Sequence, residues 1–312
     1  MLLAEAIEAL TLTLTAEGRS QRTVKDYQQK LNVLLAHLGN VPVESVETID
    51  LRRFAADLRT RSVRYEDHPL RPPKSGGLSE ASIASYLRVV KRLFAFLVEE
   101  GILSDNPARR LTVPKARRRE PKAYEAEDLP RLLAATEGDA LDRVRDRALL
   151  LFLIDTGCRV GGLCGLCLAD VDLERGTAVV TEKGNQQRMV FFTEMTRHAL
   201  ADWFQVHGPG EHVFTSLTDG ADGEPLSPVG VYQVLRRLGE RAGAVGPVNP
   251  HAFRHGFARE YLLAGGDLGS LADLLGHQDV KTTWQSYAIF RTNELSERHG
   301  RHSPVNRLIG NS

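Results

Sequence analysis

The sequence is short of cysteine, free of any excess of one charge and without a long apolar run. Each shortage narrows what the chain can be. Its three cysteines, Cys158, Cys164 and Cys167, lie close together, and an odd number at such spacing does not make a disulfide framework. Cys164 and Cys167 form a C-x-x-C pair, but a zinc site needs about four ligands and usually a second pair. No matching pair lies nearby, so the expectation is three reduced, buried thiols on a helix running through GCRVGGLCGLCLADVDL. No apolar run approaches the roughly 20 residues that span a membrane. The first residues, MLLAEAIEALTLTLTAEG, carry acidic side chains, no leading basic cluster and no small-residue cleavage site. They read as an amphipathic helix and not a signal peptide, which makes a cytoplasmic location the expectation. Lys and Arg number 40, and so do Asp and Glu. A formal charge of zero argues against a protein that coats nucleic acid, yet says nothing against a local basic surface.

What is present is an ordinary globular composition, 42% hydrophobic and 26% charged, over 312 residues. That length suits two domains better than one. Up to residue 106 the apolar periodicity is helical throughout. One helix covers the first residues. A second starts near Ser20 and carries Val24, Tyr27, Leu31, Leu34 and Leu35 inward. A third spans Thr48 to Thr60. A fourth runs from about Ser79 to Glu100, with Ile83, Tyr86, Val90, Leu93, Phe94 and Leu97 inward. Residues 62–78 read as a loop rich in Pro, Gly and charge. Residues 107–123 read as a basic interdomain linker; PARRLTVPKARRREPK holds seven basic residues and one acidic. Such a run is most often a solvated strap, and its functional reading is contact with a phosphate backbone through Arg117, Arg118 and Arg119. From 124 to 312 the pattern is mixed, with helices expected at 126–136, 140–155, 193–206, 228–242, 251–264, 267–275 and 280–290. Short strands are expected at 176–181 and 188–192, joined by EKGNQQ. The fold class expected is mainly α with a small β-sheet (α+β).

Four segments of the second part carry candidate chemistry: DTGCRVGGLCGL with Arg159, TEKGNQQR with Lys183, NPHAFRHGFARE with His251, Arg254 and His255, and LLGHQDVKTTWQSYA with His277 and Tyr287. Singly, each has an ordinary reading. Arg159 is a surface or capping residue, Lys183 a solvated turn charge, His251 and Arg254 a solvent-facing i,i+3 pair, and Tyr287 half-buried packing. Together they match the needs of phosphoryl transfer to a protein hydroxyl. That reaction needs a nucleophile, cations on the non-bridging oxygens and a proton donor for the departing oxygen. Arg binds phosphate through a planar fork that stays charged. Lys can donate a proton if its pKa is lowered. His can hold or accept the tyrosyl proton near neutral pH. A Tyr hydroxyl, with an unperturbed pKa of about 10, needs such help.

The order of these segments resembles the tyrosine recombinases, or phage integrase family. TGCRVGGL is similar to the family's TG-x-R box, TEKGNQQRMVFF to its lysine hairpin (commonly G-K-G-x-x-x-R), PHAFRHGFA to its H-x-L-R-H box and LLGHQDVKTTWQSY to its LGH-to-Tyr box. The resemblance implies a helical SAM-like core-binding domain (1–106), a linker (107–123) and a catalytic domain with a C-terminal tail (124–312). It implies Tyr287 as nucleophile, with Arg159, Lys183, His251, Arg254 and His277 as the other catalytic residues. It further implies a 3′-phosphotyrosyl intermediate on double-stranded DNA, a homotetramer on two sites, no cofactor and no metal. A mobile-element integrase is the favoured role, with a Xer-like dimer resolvase as alternative. A type IB topoisomerase or an inactive DNA-binding relative are the readings outside the recombinases. The tail after Tyr287 either docks on a neighbouring protomer or packs on its own domain. Two positions depart from the pattern. Gly162 stands where the family usually carries an acidic residue, three after the first arginine, and TEKG stands where GKG is commoner.

Overall fold

The computed structural model describes residues 1–64, 74–115, 122–182, 186–218 and 223–276, together with 296, 299, 300 and 305. Lys183, His277, Tyr287, the linker arginines 117–119 and the helix expected at 280–290 lie outside the described residues. The chain divides into two compact units, Met1–Arg119 and Glu120–Ser312. Among the described residues no helix is long and apolar enough to cross a membrane.

Among its described residues the first unit holds four α-helices, α1 (Leu3–Ala16), α2 (Gln21–Leu38), α3 (Thr48–Thr60) and α4 (Glu80–Glu99), with a two-residue antiparallel pair, β1 (Val63–Arg64) and β2 (Lys74–Ser75), between α3 and α4. The hydroxyls of Ser20 and Ser79 accept from the backbone N–H of Thr23 and Ser82 at 3.3 and 3.2 Å. They satisfy donors that a helix start otherwise leaves open. α1 buries Leu3, Ala6, Ile7, Leu10 and Leu14 on a single stripe. α4 buries residues on more than one side, from Ile83 to Leu97, because α1, α2 and α3 all pack against it. Of the residues expected inward on α2, Leu31 and Leu34 are buried, while Val24, Tyr27 and Leu35 pack partly buried against the same core. The expected loop at 62–78 contains the β1–β2 pair in its described part.

The second unit carries α5 (Asp128–Ala134), α6 (Leu141–Thr156), α7 (Val160–Cys164), β3 (Val171–Asp172), β4 (Thr177–Glu182), β5 (Gln186–Phe191), α8 (Glu194–Val206), α9 (Pro228–Ala242), α10 (Pro250–Leu263) and α11 (Leu268–Leu275). The three strands form one antiparallel sheet in the order β3-β4-β5, with Thr177 opposite Phe191 and Glu182 opposite Gln186. α6 buries six consecutive residues from Ala148 to Leu153. A helix apolar all round belongs at the centre of a core, and α8 and α10 pack on it. The carboxylate of Asp155 near its end accepts from the N–H and hydroxyl of Thr193 at 2.6 and 2.8 Å and the hydroxyl of Thr196 at 2.8 Å, capping α8 from outside that helix.

The expected helix through the cysteines is corrected. α7 stops at Cys164, and a 3-10 turn (Leu168–Asp170) and β3 take up the rest. Gly161, Gly162 and Gly165 explain the early stop, since glycine is costly in a helix interior. Of the three thiols, Cys158 is buried but Cys164 and Cys167 are partly exposed. Burial pushes the Cys164 thiol up to about 12. Among the described residues no group of three or more His, Cys, Asp or Glu gathers as metal ligands.

Two glycines set the backbone around the candidate residues. Gly157 ends α6 in the left-handed region, with φ +55°, where glycine carries no Cβ penalty. Gly256 on α10 lies against the ring of Tyr124, and a Cβ there would fall 2.1 Å from Cε1 of that ring. Tyr124 is buried and tilts against Phe253 at 5.6 Å between centroids. Gly256→Ala is therefore expected to destabilise the second unit by about 1–3 kcal/mol through overpacking, seen as a lower urea midpoint. Gly161→Ala meets nothing within 4 Å and is the control, expected to leave the midpoint unchanged or raised. Equal midpoints for Gly256→Ala and the parent would contradict the packing.

Candidate active site

Four pieces of the second unit converge. They are the turn after α6, the paired ends of β4 and β5, the first turns of α10, and the last turn of α11. The turn after α6 presents Arg159 as the N-cap residue of α7. α10 begins with Asn249, whose side chain accepts from the N–H of Ala252 at 3.0 Å, and Pro250 at the first helical position. This is a strong start signal, and it fixes which way His251, Arg254 and His255 point.

Arg254 is 4% exposed. Its Nη1 donates to the carbonyl of Gly157 at 2.8 Å and its Nη2 to the carbonyl of Leu275 at 2.7 Å. The first bond ties α10 to the turn that carries Arg159. The second uses a carbonyl that the end of α11 leaves without a helical partner, at the negative pole of that helix. Arg188 on β5 reaches the same helix end, donating from Nη1 to the carbonyl of Leu274. Gly276 follows in the left-handed region at φ +64°, and a Cβ there would fall 2.6 Å from Cδ of Arg188. In the sequence, Gly276 is followed by His277.

Arg159 and Arg188 share one carboxylate, Glu182 at the end of β4. The N–H of Arg159 donates to Oε1 at 3.1 Å and its Nη1 donates to Oε2. Arg188 Nη2 donates to Oε1 at 3.2 Å. Glu182 is 5% exposed and Arg188 11%, against 37% for Arg159. Burial lowers the pKa of Arg188, but a guanidinium starts so high that it stays charged. Two guanidinium groups thus share one carboxylate while that of Arg254 is held by backbone carbonyls, a balance of charge suited to an anionic phosphate.

His251 is exposed on the first turn of α10. The reading of His251 and Arg254 as a solvent-facing pair is corrected by the structure, because Arg254 is buried. His255, one residue on, is pushed down to about 4, first by burial and then by the positive charge of His251 and Arg254. Its unfolded value is near 6.5. Between those pH values the unfolded chain binds the extra proton, so stability from this group is full above about pH 6.5 and is lost as pH falls towards 4. The imidazole resonances of His255 are expected to titrate near pH 4. A midpoint near 6.5 would contradict its burial.

The structure therefore brings together Arg254, the turn that carries Arg159 and the end of α11, while Lys183, His277 and Tyr287 lie outside the described residues. Arg188 and Glu182 join them. Neither was singled out from the sequence, although Arg188 closes the quoted lysine-hairpin pattern and Glu182 is the departure within TEKG.

Residues 122–294 match the model of the phage integrase family, and residues 7–101 match that of the phage integrase N-terminal SAM-like domain. The chain is 30% identical over 285 residues to the tyrosine recombinase XerC of Haemophilus influenzae, covering 91% of this chain and 92% of that protein. It is 32% identical over 266 residues to XerC of Xylella fastidiosa, covering 85% of each. Among solved structures, the Tn1549 transposon integrase in complex with transposon right end DNA superposes with a TM-score of 0.74 at 18% identity, over 96% of this chain and 99% of that one. The crystal structure of XerA recombinase gives 0.53 at 25% identity, again over 96% and 99%. With both units matched and the paired arginines in place, the chain belongs to the phage integrase family and is a tyrosine-type site-specific recombinase, an enzyme of DNA strand breakage and rejoining.

Proposed function

We propose that Tyr287 attacks the scissile phosphate of a recombination site in double-stranded DNA. The bond between phosphorus and the 5′ oxygen breaks, the 3′ phosphate is held on the tyrosyl oxygen, and a 5′ hydroxyl leaves. A 5′ hydroxyl from a partner duplex reverses the step, so bond energy is conserved. Arg159 and Arg254 take up the charge on the non-bridging oxygens. His251 and His277 hold the nucleophile and its proton. Lys183 protonates the leaving oxygen. The observation that carries this reading is the double tie of Arg254, to the carbonyl beside Arg159 and to the helix end beside His277. Four protomers would act on two sites, with Arg117, Arg118 and Arg119 meeting the phosphate backbone and the chemistry taking place in the cytoplasm.

A nicked duplex that loses its 5′ fragment after cleavage tests the reaction. In excess EDTA a covalent adduct and strand exchange between two duplexes are expected. An adduct without exchange would indicate a topoisomerase-like reaction, and binding without an adduct an inactive relative.

Lys183→Ala is expected to slow cleavage by about 10²–10⁴, the usual contribution of a general acid. Sulfur at the 5′ bridging position leaves without protonation, and should restore most of that rate to Lys183→Ala but not to Arg159→Ala. Equal rescue of both, or of neither, would remove the general-acid role.

For the biological role, a mobile-element integrase is proposed on the departure at Gly162 and the 62–78 segment. The likeness to XerC favours the second reading, a dimer resolvase. A repeated core site flanking the gene would support the integrase, and conversion of plasmid dimers to monomers the resolvase.

A further inference from the structure

The two departures from the family's pattern meet in space. A Cβ at Gly162 would lie 3.4 Å from Cγ of Glu182 and 3.4 Å from Cβ of Val180, which is van der Waals contact. A side chain at 162 would thus start in contact with the side chain of Glu182 on the adjoining strand. That carboxylate grips Arg159 at both ends, through its backbone N–H and its guanidinium, and also receives Arg188.

We infer that Glu182 is the residue that positions Arg159 in this chain: the acidic group has moved from α7 to β4, where its side chain lies against Gly162. The inference rests on the proposed role of Arg159 at the phosphate.

The physical case has three parts. A carboxylate 5% exposed must be paired, and here it is paired twice. A long arginine side chain that is 37% exposed has many rotamers in water, and a fixed carboxylate behind it selects one. Glu182 also immediately precedes Lys183, so one group couples the strand end that carries the proposed acid to the arginine that meets the phosphate. An ion pair that merely held the fold would be weak evidence for stability and would have no reason to engage both the backbone and the guanidinium of Arg159.

The test uses the full-length protein and single-turnover cleavage of the nicked duplex with three scissile groups: the ordinary phosphate, a neutral methylphosphonate, and a phosphate with sulfur at the 5′ bridging position. Glu182→Gln keeps the shape and an acceptor for the N–H of Arg159 but loses the charge. It is expected to slow cleavage of the ordinary phosphate by about 10–100-fold, the range found when a partner that orients a metal-ligating side chain is lost. The methylphosphonate carries no charge for Arg159 to meet, so the defect should largely vanish there. It should persist with bridging sulfur. Gly162→Glu should return part of the rate lost in Glu182→Ala.

Parent-like cleavage by Glu182→Gln, rescue by sulfur in place of methylphosphonate, or a defect equal on all three substrates would overturn the positioning role. No recovery from Gly162→Glu would overturn the exchange between the two positions. If Arg159→Ala itself cleaves the ordinary phosphate at the parent rate, the role given to Arg159 fails, whatever Glu182→Gln does.

Discussion

Tyr287→Phe is expected to form no covalent adduct with a nicked recombination site while binding it with nearly parental affinity. The substitution removes one oxygen and keeps the ring. The proposed reaction loses its nucleophile outright, because a phenyl ring carries no oxygen to attack phosphorus. Binding by contrast depends on many phosphate contacts spread over the protein, each adding to the salt dependence of affinity, and one phenolic oxygen is a small part of that. The two readouts are a denaturant-resistant protein–DNA band and a gel shift. An adduct that persists in the Phe variant assigns the nucleophile to another residue.

Arg254→Lys is expected to cost about 10²–10³ in cleavage rate, the range for removing a donor that meets charge in the transition state, and to lower stability as well. The reason is geometric. Arg254 uses two arms of its fork on carbonyls supplied from different directions, Gly157 and Leu275. A guanidinium has five N–H donors in a fixed plane and can make both bonds while donating to a phosphate. A lysine ammonium is a single point and cannot span them. One buried carbonyl would lose its partner, at about 1–3 kcal/mol. The turn holding Arg159 and the end of α11 would no longer be tied to one group. Both a slower single turnover and a lower unfolding midpoint are expected. Parental rate and midpoint in Arg254→Lys would contradict the clamp.

The helices of the first unit were legible because their signals are local. Apolar spacing on α1 and α2 and the caps at Ser20 and Ser79 all act within a few residues. α3 runs from Thr48 to Thr60 as expected. The β4–β5 hairpin was legible for the same reason. What escaped was non-local or too short to carry a period. β3 has two residues and exists through pairing with β4. The stretch through the cysteines has helix-like apolar content, but its glycines let the chain turn into the 3-10 segment. Arg254 looked solvent-facing because its i,i+3 spacing with His251 says nothing of carbonyls 97 and 21 positions away in sequence. The same holds for Glu182. TEKG could be seen as a departure, but that its carboxylate reaches Arg159, 23 positions earlier, depends on how β4 packs beside α7.

On the proposed chemistry this chain cuts DNA with Tyr287 and without a metal. The measurement that tests it most directly is to trap the adduct of the parent protein on nicked DNA in excess EDTA, digest it, and identify the peptide bound to the DNA. The result expected is a peptide containing Tyr287, joined through its side-chain oxygen to a 3′ phosphate, with a free 5′ hydroxyl on the released strand. A link to any other residue, a 5′ phosphate link, or an adduct that forms only when a divalent ion is restored would contradict it.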